Sequence, residues 1–83
     1  MNEKERIRNY IQRHINVSDE YVVIGDDDNI FELGFVDSMF AMKLVHFVEK
    51  ESGAVVSTDE LTLANFSTIA NLHALLLRMR SHD

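Results

Sequence analysis

Apolar positions near the start of the chain recur at the spacing of one helical face. Ile7, Tyr10, Ile11, His14 and Ile15 share that face, while Arg6, Arg8, Gln12 and Arg13 take the wet side. Asn2 and Glu5 stand at capping-box spacing ahead of it. The pattern predicts a first amphipathic helix from about Glu3 to Asn16, with His14 half-buried on the apolar stripe. A second helical period begins after Ser38. Phe40, Leu44, Phe47 and Val48 form its core face, with Ala41 and Val45 beside them. The predicted helix runs from about Ser38 to Glu51 and stops before Gly53, a natural C-terminal residue for a left-handed turn. Its other side carries Met39, Met42, Lys43, His46 and Lys50, a stripe of mixed apolar and basic character.

Two further elements follow. Ser57 and Glu60 have capping-box spacing, but few apolar residues follow before Ser67, so a short third helix or turn of one or two turns is expected. Ile69, Leu72, Leu76 and Met79, with Ala70 and Leu75 close by, predict a last helix capped by Ser67 or Thr68. Arg78, Arg80 and His82 suit the negative end of its dipole, and His73 falls near the edge of the stripe. The fold class is therefore all-α: a small four-helix bundle of three longer helices and a short third one.

The connection from Val17 to Asp37 is long for so small a domain, and long connections are either functional or partly folded. Tyr21, Val22, Val23, Ile24, Ile30, Phe31, Leu33, Phe35 and Val36 can anchor it across the bundle, so an ordered loop is expected between the first and second helices. Asp26-Asp27-Asp28-Asn29 is its most acidic point. A calcium loop starting at Asp26 would need a ligand at its fifth position and Gly at its sixth, where Ile30 and Phe31 stand. A solvated acidic turn that caps Ile30-Phe31-Glu32 and steers partners by charge is the better account, and no metal site is expected.

With 83 residues the chain is one domain, 1–83. It contains no Cys, which excludes disulfides and thiolate metal sites and fits a reducing, cytoplasmic setting. Fourteen acidic residues against eight basic ones give a formal charge of −6, which opposes binding to nucleic acid. No signal peptide and no membrane span are expected. The four His residues are scattered and cannot be assembled into a triad or a zinc site by argument. No catalytic residue is expected, and the chain reads as something other than an enzyme.

The most informative stretch is Leu33-Gly34-Phe35-Val36-Asp37-Ser38-Met39, where an irregular segment hands over to the second helix. Asp37 and Ser38 are both good N-cap residues, and the unpaired N–H groups and positive dipole end of a helix favour an anion there. A Ser at a helix start is most often only a cap. Here Phe31-Glu32-Leu33-Gly34 leads in, and Met39, Met42, Leu44 and Val45 lead out.

This setting resembles the modification site of the acyl and peptidyl carrier proteins. In that family an LG element precedes an Asp-Ser-Leu/Met triplet at the head of the second helix. The resemblance implies that Ser38 carries 4′-phosphopantetheine delivered from coenzyme A, with Asp37 helping to place the phosphate and its transferase. It also implies that Leu33, Phe35 and Met39 shape the base of the arm, that the short third helix flanks it, and that Met39, Met42, Lys43 and His46 meet partner enzymes. Alternatively, Met39 and Met42 pack under the long loop. Expected partners are a phosphopantetheinyl transferase, an acyl- or amino-acid-activating enzyme, and downstream dehydrogenases or an acyltransferase or synthase, met by a monomeric carrier.

Two departures narrow the likeness. The Ser stands four residues after the Gly, from Gly34 to Ser38, where fatty-acid-type carriers have three. Such spacing, with Met39 after the Ser, resembles both the D-alanyl carriers of cell-wall modification and the stand-alone carriers that build methoxymalonyl-, hydroxymalonyl- or aminomalonyl-type polyketide extender units. The run from Gly34 to Met42 favours the second group. The basic Lys43, His46 and Lys50 also replace the acidic recognition helix of fatty-acid-type carriers. Two rival classes are a plain helical adaptor with Ser38 as a cap, and a small hydrolase using Ser38, for which no activating base is evident.

Overall fold

The computed structural model describes residues 2–15, 24–34 and 36–81, and among these only helices and turns occur. Helix α1 spans Glu3–Arg13, α2 Phe40–Ser52, α3 Leu63–Phe66 and α4 Ile69–Ser81, with a 3-10 turn at Thr58–Glu60 before α3. Asn2 caps α1 by accepting the Glu5 N–H at 2.9 Å. The helix ends at Arg13, short of the expected limit, because His14 leaves helical geometry at φ −109°, ψ 3°. Asn16, Tyr21-Val22-Val23, Phe35 and His82 lie outside the described residues.

The core is the meeting of the predicted stripes. Ile7 and Ile11 of α1, Phe40, Leu44 and Val48 of α2, and Ile69, Leu72, Leu75, Leu76 and Met79 of α4 are buried together with Ile24, Ile30, Val36, Val56 and Phe66. Each such side chain contributes about 1.5–3 kcal/mol by leaving water. Phe47 departs from its expected place. It is half-buried and stacks on Tyr10 with ring centroids 4.4 Å apart, at the mouth of the α1–α2 cleft. Gly53 ends α2 at φ 73°, and its N–H donates to the Glu49 carbonyl at 2.9 Å.

The expected short third helix or turn is realised as two pieces, the 3-10 turn at Thr58–Glu60 and the four-residue α3. Ser57 supplies no side-chain cap. Glu60 is drawn away instead: its carboxylate accepts from Arg78 Nε at 2.8 Å, and its carbonyl accepts from Asn65 Nδ2 at 2.8 Å. The chain then restarts at Thr62, which caps α3 through the Asn65 N–H at 3.4 Å. Of the two candidate caps for α4, Thr68 does the work, accepting the Asn71 N–H at 3.0 Å. Ser67 is buried, and its hydroxyl donates to the Ala64 carbonyl at 3.0 Å. His73 is half-buried, 3.6 Å from the Glu3 carboxylate.

The described part of the long loop is ordered by bonds to helices on both sides. The Ile30 N–H donates to the Ser67 carbonyl and the Ala70 N–H to the Asp26 carbonyl, each at 2.9 Å. Arg8 Nε donates to the Ile24 carbonyl at 3.0 Å. Asn29 Oδ1 accepts from Phe31 N and Glu32 N, both at 3.0 Å, so Asn29 rather than an aspartate caps the turn that follows. Asp26 is not a free steering charge. Its carboxylate pairs with Lys4 at 3.1 Å and with Arg8. The Lys4 hydrogen bond, reinforced by the charges of Lys4 and Arg8, holds that carboxyl below its usual pKa. Asp28 turns inward to accept the Gly25 N–H at 2.8 Å, leaving Asp27 as the exposed acid of the three.

Candidate functional site

The segment ahead of α2 is shaped by two anchors. Val36 and Phe40 are 6% and 5% exposed, driven into the core by their apolar surface. The three residues between them have nowhere to go but outward, and Asp37, Ser38 and Met39 are all exposed. Consecutive i to i+3 bonds make the bend tight. The Phe40, Ala41 and Met42 N–H groups donate to the Asp37, Ser38 and Met39 carbonyls at 3.0, 3.2 and 3.2 Å. Regular α-helix therefore starts at Phe40, two residues later than the spacing alone predicts. Gly34, at φ 76°, closes the preceding turn in a left-handed conformation that favours glycine.

Within this bend the capping role falls to Asp37. Its Oδ1 accepts the Phe40 N–H at 3.2 Å, and its charge lies at the positive end of the helix dipole. The Ser38 hydroxyl bonds to no group among the described residues, stands in solvent, and occupies the crest of the bend. A hydroxyl that is exposed and without a partner among the described residues has room for a covalent substituent.

The outer face of α2 is open as well. Met39 is 78% and Met42 62% exposed, with Lys43, His46 and Lys50 exposed along the same side. The alternative that the two methionines pack under the loop does not hold. Leu33 is exposed on the approach to the bend, and Val55, Leu61 and Leu63 are exposed around the 3-10 turn. Of the last three, the sequence pattern places Leu61 and Leu63 only as apolar positions of the short third element, and it does not single out Val55. Their signal lay in apolar residues that belong to no stripe. Phe35 lies outside the described residues. No group of three or more metal-ligating side chains exists among the described residues, and no helix there is long and apolar enough to cross a membrane.

Residues 5–76 match the family described as the phosphopantetheine attachment site. The chain belongs to that family. Its members hold 4′-phosphopantetheine covalently and serve as carriers rather than catalysts. The exposed, uncommitted hydroxyl at the head of α2 fits such a group, and a disulfide, metal or buried cofactor is not needed to explain the bend. The chain is also similar to a probable acyl carrier protein, PigG, of a Serratia species, with 38% identity over 53 residues. That stretch covers 64% of this chain and 61% of the relative.

Proposed function

We propose that this carrier domain holds its arm on Ser38 and passes a thioester-bound acyl or aminoacyl unit between enzymes. The observation that supports Ser38 most directly is its hydroxyl: exposed, unbonded and raised between two buried anchors, while Asp37 does the capping. Attachment is a phosphoryl transfer. The Ser38 oxygen bonds to the phosphorus bearing the pantetheine chain of coenzyme A, the bond from that phosphorus to the nucleotide half breaks, and the hydroxyl proton leaves to the transferase. The group supplies a terminal thiol whose thioester is a reactive acyl donor on a long tether. Tethering raises the local concentration of cargo at each enzyme without tight binding by the domain.

The cargo we infer is an extender-type unit, methoxymalonyl, hydroxymalonyl or aminomalonyl in kind. The support is the four-residue step from Gly34 to Ser38, the Met at 39, and the run to Met42. A D-alanyl cargo shares the first two features. The partners are a phosphopantetheinyl transferase, an acyl- or amino-acid-activating enzyme and downstream dehydrogenases, acyltransferases or synthases. The domain works as a monomer in the cytoplasm, and Met39, Met42, Lys43 and His46 are the surface those enzymes touch.

Intact mass after incubation with coenzyme A and a promiscuous phosphopantetheinyl transferase tests the attachment. Wild type gains one phosphopantetheine and Ser38→Ala gains none. An unmodified wild type, or an equally modified Ala variant, defeats the proposal. Loading assays with adenylating enzymes for D-alanine and with activating enzymes for extender precursors separate the cargoes.

A further inference from the structure

An open pocket of about 240 Å³ lies beside the bend, lined by His14, Val36, Asp37, Met39, Phe40 and Lys43. Asp37 and Met39 flank Ser38 in the chain, so the rim of the pocket adjoins the point where an arm departs. Its walls are of two kinds. Val36, Phe40 and the stem of Met39 are apolar, and the first two are fixed in the core. Lys43 and His14 bring nitrogen. Lys43 is exposed and makes no ion pair among the described residues. His14 Nδ1 is 2.8 Å from the Tyr10 carbonyl, which can only accept, so Nδ1 carries the proton. The His14 ring packs against both Tyr10 and Phe40, at centroid distances of 4.6 and 5.3 Å, and those two rings also stack on each other at 5.9 Å. The pocket's anion, Asp37, is already bonded to the Phe40 N–H.

Size limits the occupant. Pockets for whole drug-sized ligands start at about 300 Å³. This one takes a fragment, with a cation at one side and apolar walls at the other. We propose that it seats the first segment of the arm: the phosphodiester anion toward Lys43, and the branched apolar carbons that follow against Val36, Phe40 and Met39. This rests on attachment at Ser38. The base of the arm then has a resting position between the start of α2 and His14, the C-cap of α1, and the distal amides and thiol remain mobile.

The experiment uses the domain loaded with isotopically labelled phosphopantetheine, with loading first verified by intact mass. Amide shifts of apo and loaded protein are compared, and motion of the arm is read from heteronuclear relaxation. Expected are shifts at His14, Val36, Phe40 and Lys43 on loading, and slower motion at the arm's first amide than at its second. Lys43→Met, an exposed change, removes that difference in motion, and Lys43→Arg restores it. A loaded arm whose two amides move alike in wild type, or shifts confined to residues 37–39, overturns the seating alone. A protein that gains no mass overturns the attachment reading beneath it.

Discussion

Asp37 Oδ1 accepts the Phe40 N–H at 3.2 Å, spanning Ser38 and Met39. The capping role thereby falls to one neighbour and not the other: the carboxylate secures the helix, and the Ser38 hydroxyl has no partner among the described residues. Either residue type could cap a helix, so the division is a property of the bend rather than of composition.

This division predicts opposite responses to truncation. Asp37→Ala loses a cap worth about 1 kcal/mol, which in a domain of this size lowers Tm by roughly 4–8 °C. Asp37→Asn keeps the cap and loses only the charge at the dipole's positive end, so its Tm should fall less than that of Asp37→Ala. Ser38→Ala changes stability by less than about 0.5 kcal/mol while abolishing modification. Thermal melts followed by circular dichroism, run beside the mass assay, check all three. A Ser38→Ala melt that fell as far as Asp37→Ala would return the capping role to the hydroxyl.

Asp26 sets an acid limit. Lys4 and Arg8 hold its pKa below the ordinary value of 3.8 in the folded chain. A carboxyl depressed on folding contributes stability that is fully present above its unfolded pKa and is lost as pH falls through the folded one. The loss attributable to Asp26 therefore begins near pH 4 and deepens below it. Denaturant midpoints measured from pH 7 to pH 2 should fall less steeply at the acid end in Asp26→Asn than in wild type. Parallel curves would show that the ion pairs with Lys4 and Arg8 contribute nothing.

Leu44 is fully buried at the centre of α2, so Leu44→Ala should cost about 2–5 kcal/mol. Urea unfolding with an unchanged m-value gives that number directly. Ile30→Val removes one methylene from a residue that also ties the loop to Ser67, and should cost about 0.5–1.5 kcal/mol.

The double variant Met39→Glu/Met42→Glu addresses the outer face of α2. Both side chains are solvent-exposed, so stability should stay within about 0.5 kcal/mol of wild type. Loading of the modified domain by its activating enzyme should fall by tenfold or more in kcat/KM, since apolar contacts at an interface centre carry most of its energy. Unchanged loading would place docking elsewhere, with Val55, Leu61 and Leu63 the next surface to alter.

Much of the bundle was legible because its helices announce themselves by period. Ile7 and Ile11, Leu44 and Val48, and Leu72, Leu76 and Met79 are buried as their spacing demands. The errors lie where a local cue met a competing partner. Ser57 and Glu60 have the letters of a capping box, yet Arg78 from α4 claims the glutamate, and no spacing rule sees across eighteen residues. The acidic turn looked solvated because Lys4 and Arg8, its partners, lie on another element. Phe47 satisfied the core period but is only half-buried, stacked on Tyr10 at the edge of the bundle. At the site, the types at 37 and 38 were readable. Which of them caps was not, because that depends on a two-residue shift in where the helix becomes regular.

The paired burial of Val36 and Phe40 also bears on how an enzyme would meet this surface. A recognition loop that must be ordered on contact weakens each encounter by the entropy of ordering it. Here the crest is already fixed on both flanks. An enzyme that docked here would find the same target each time, and could recognise it accurately in a contact brief enough to let the carrier go on to its next station.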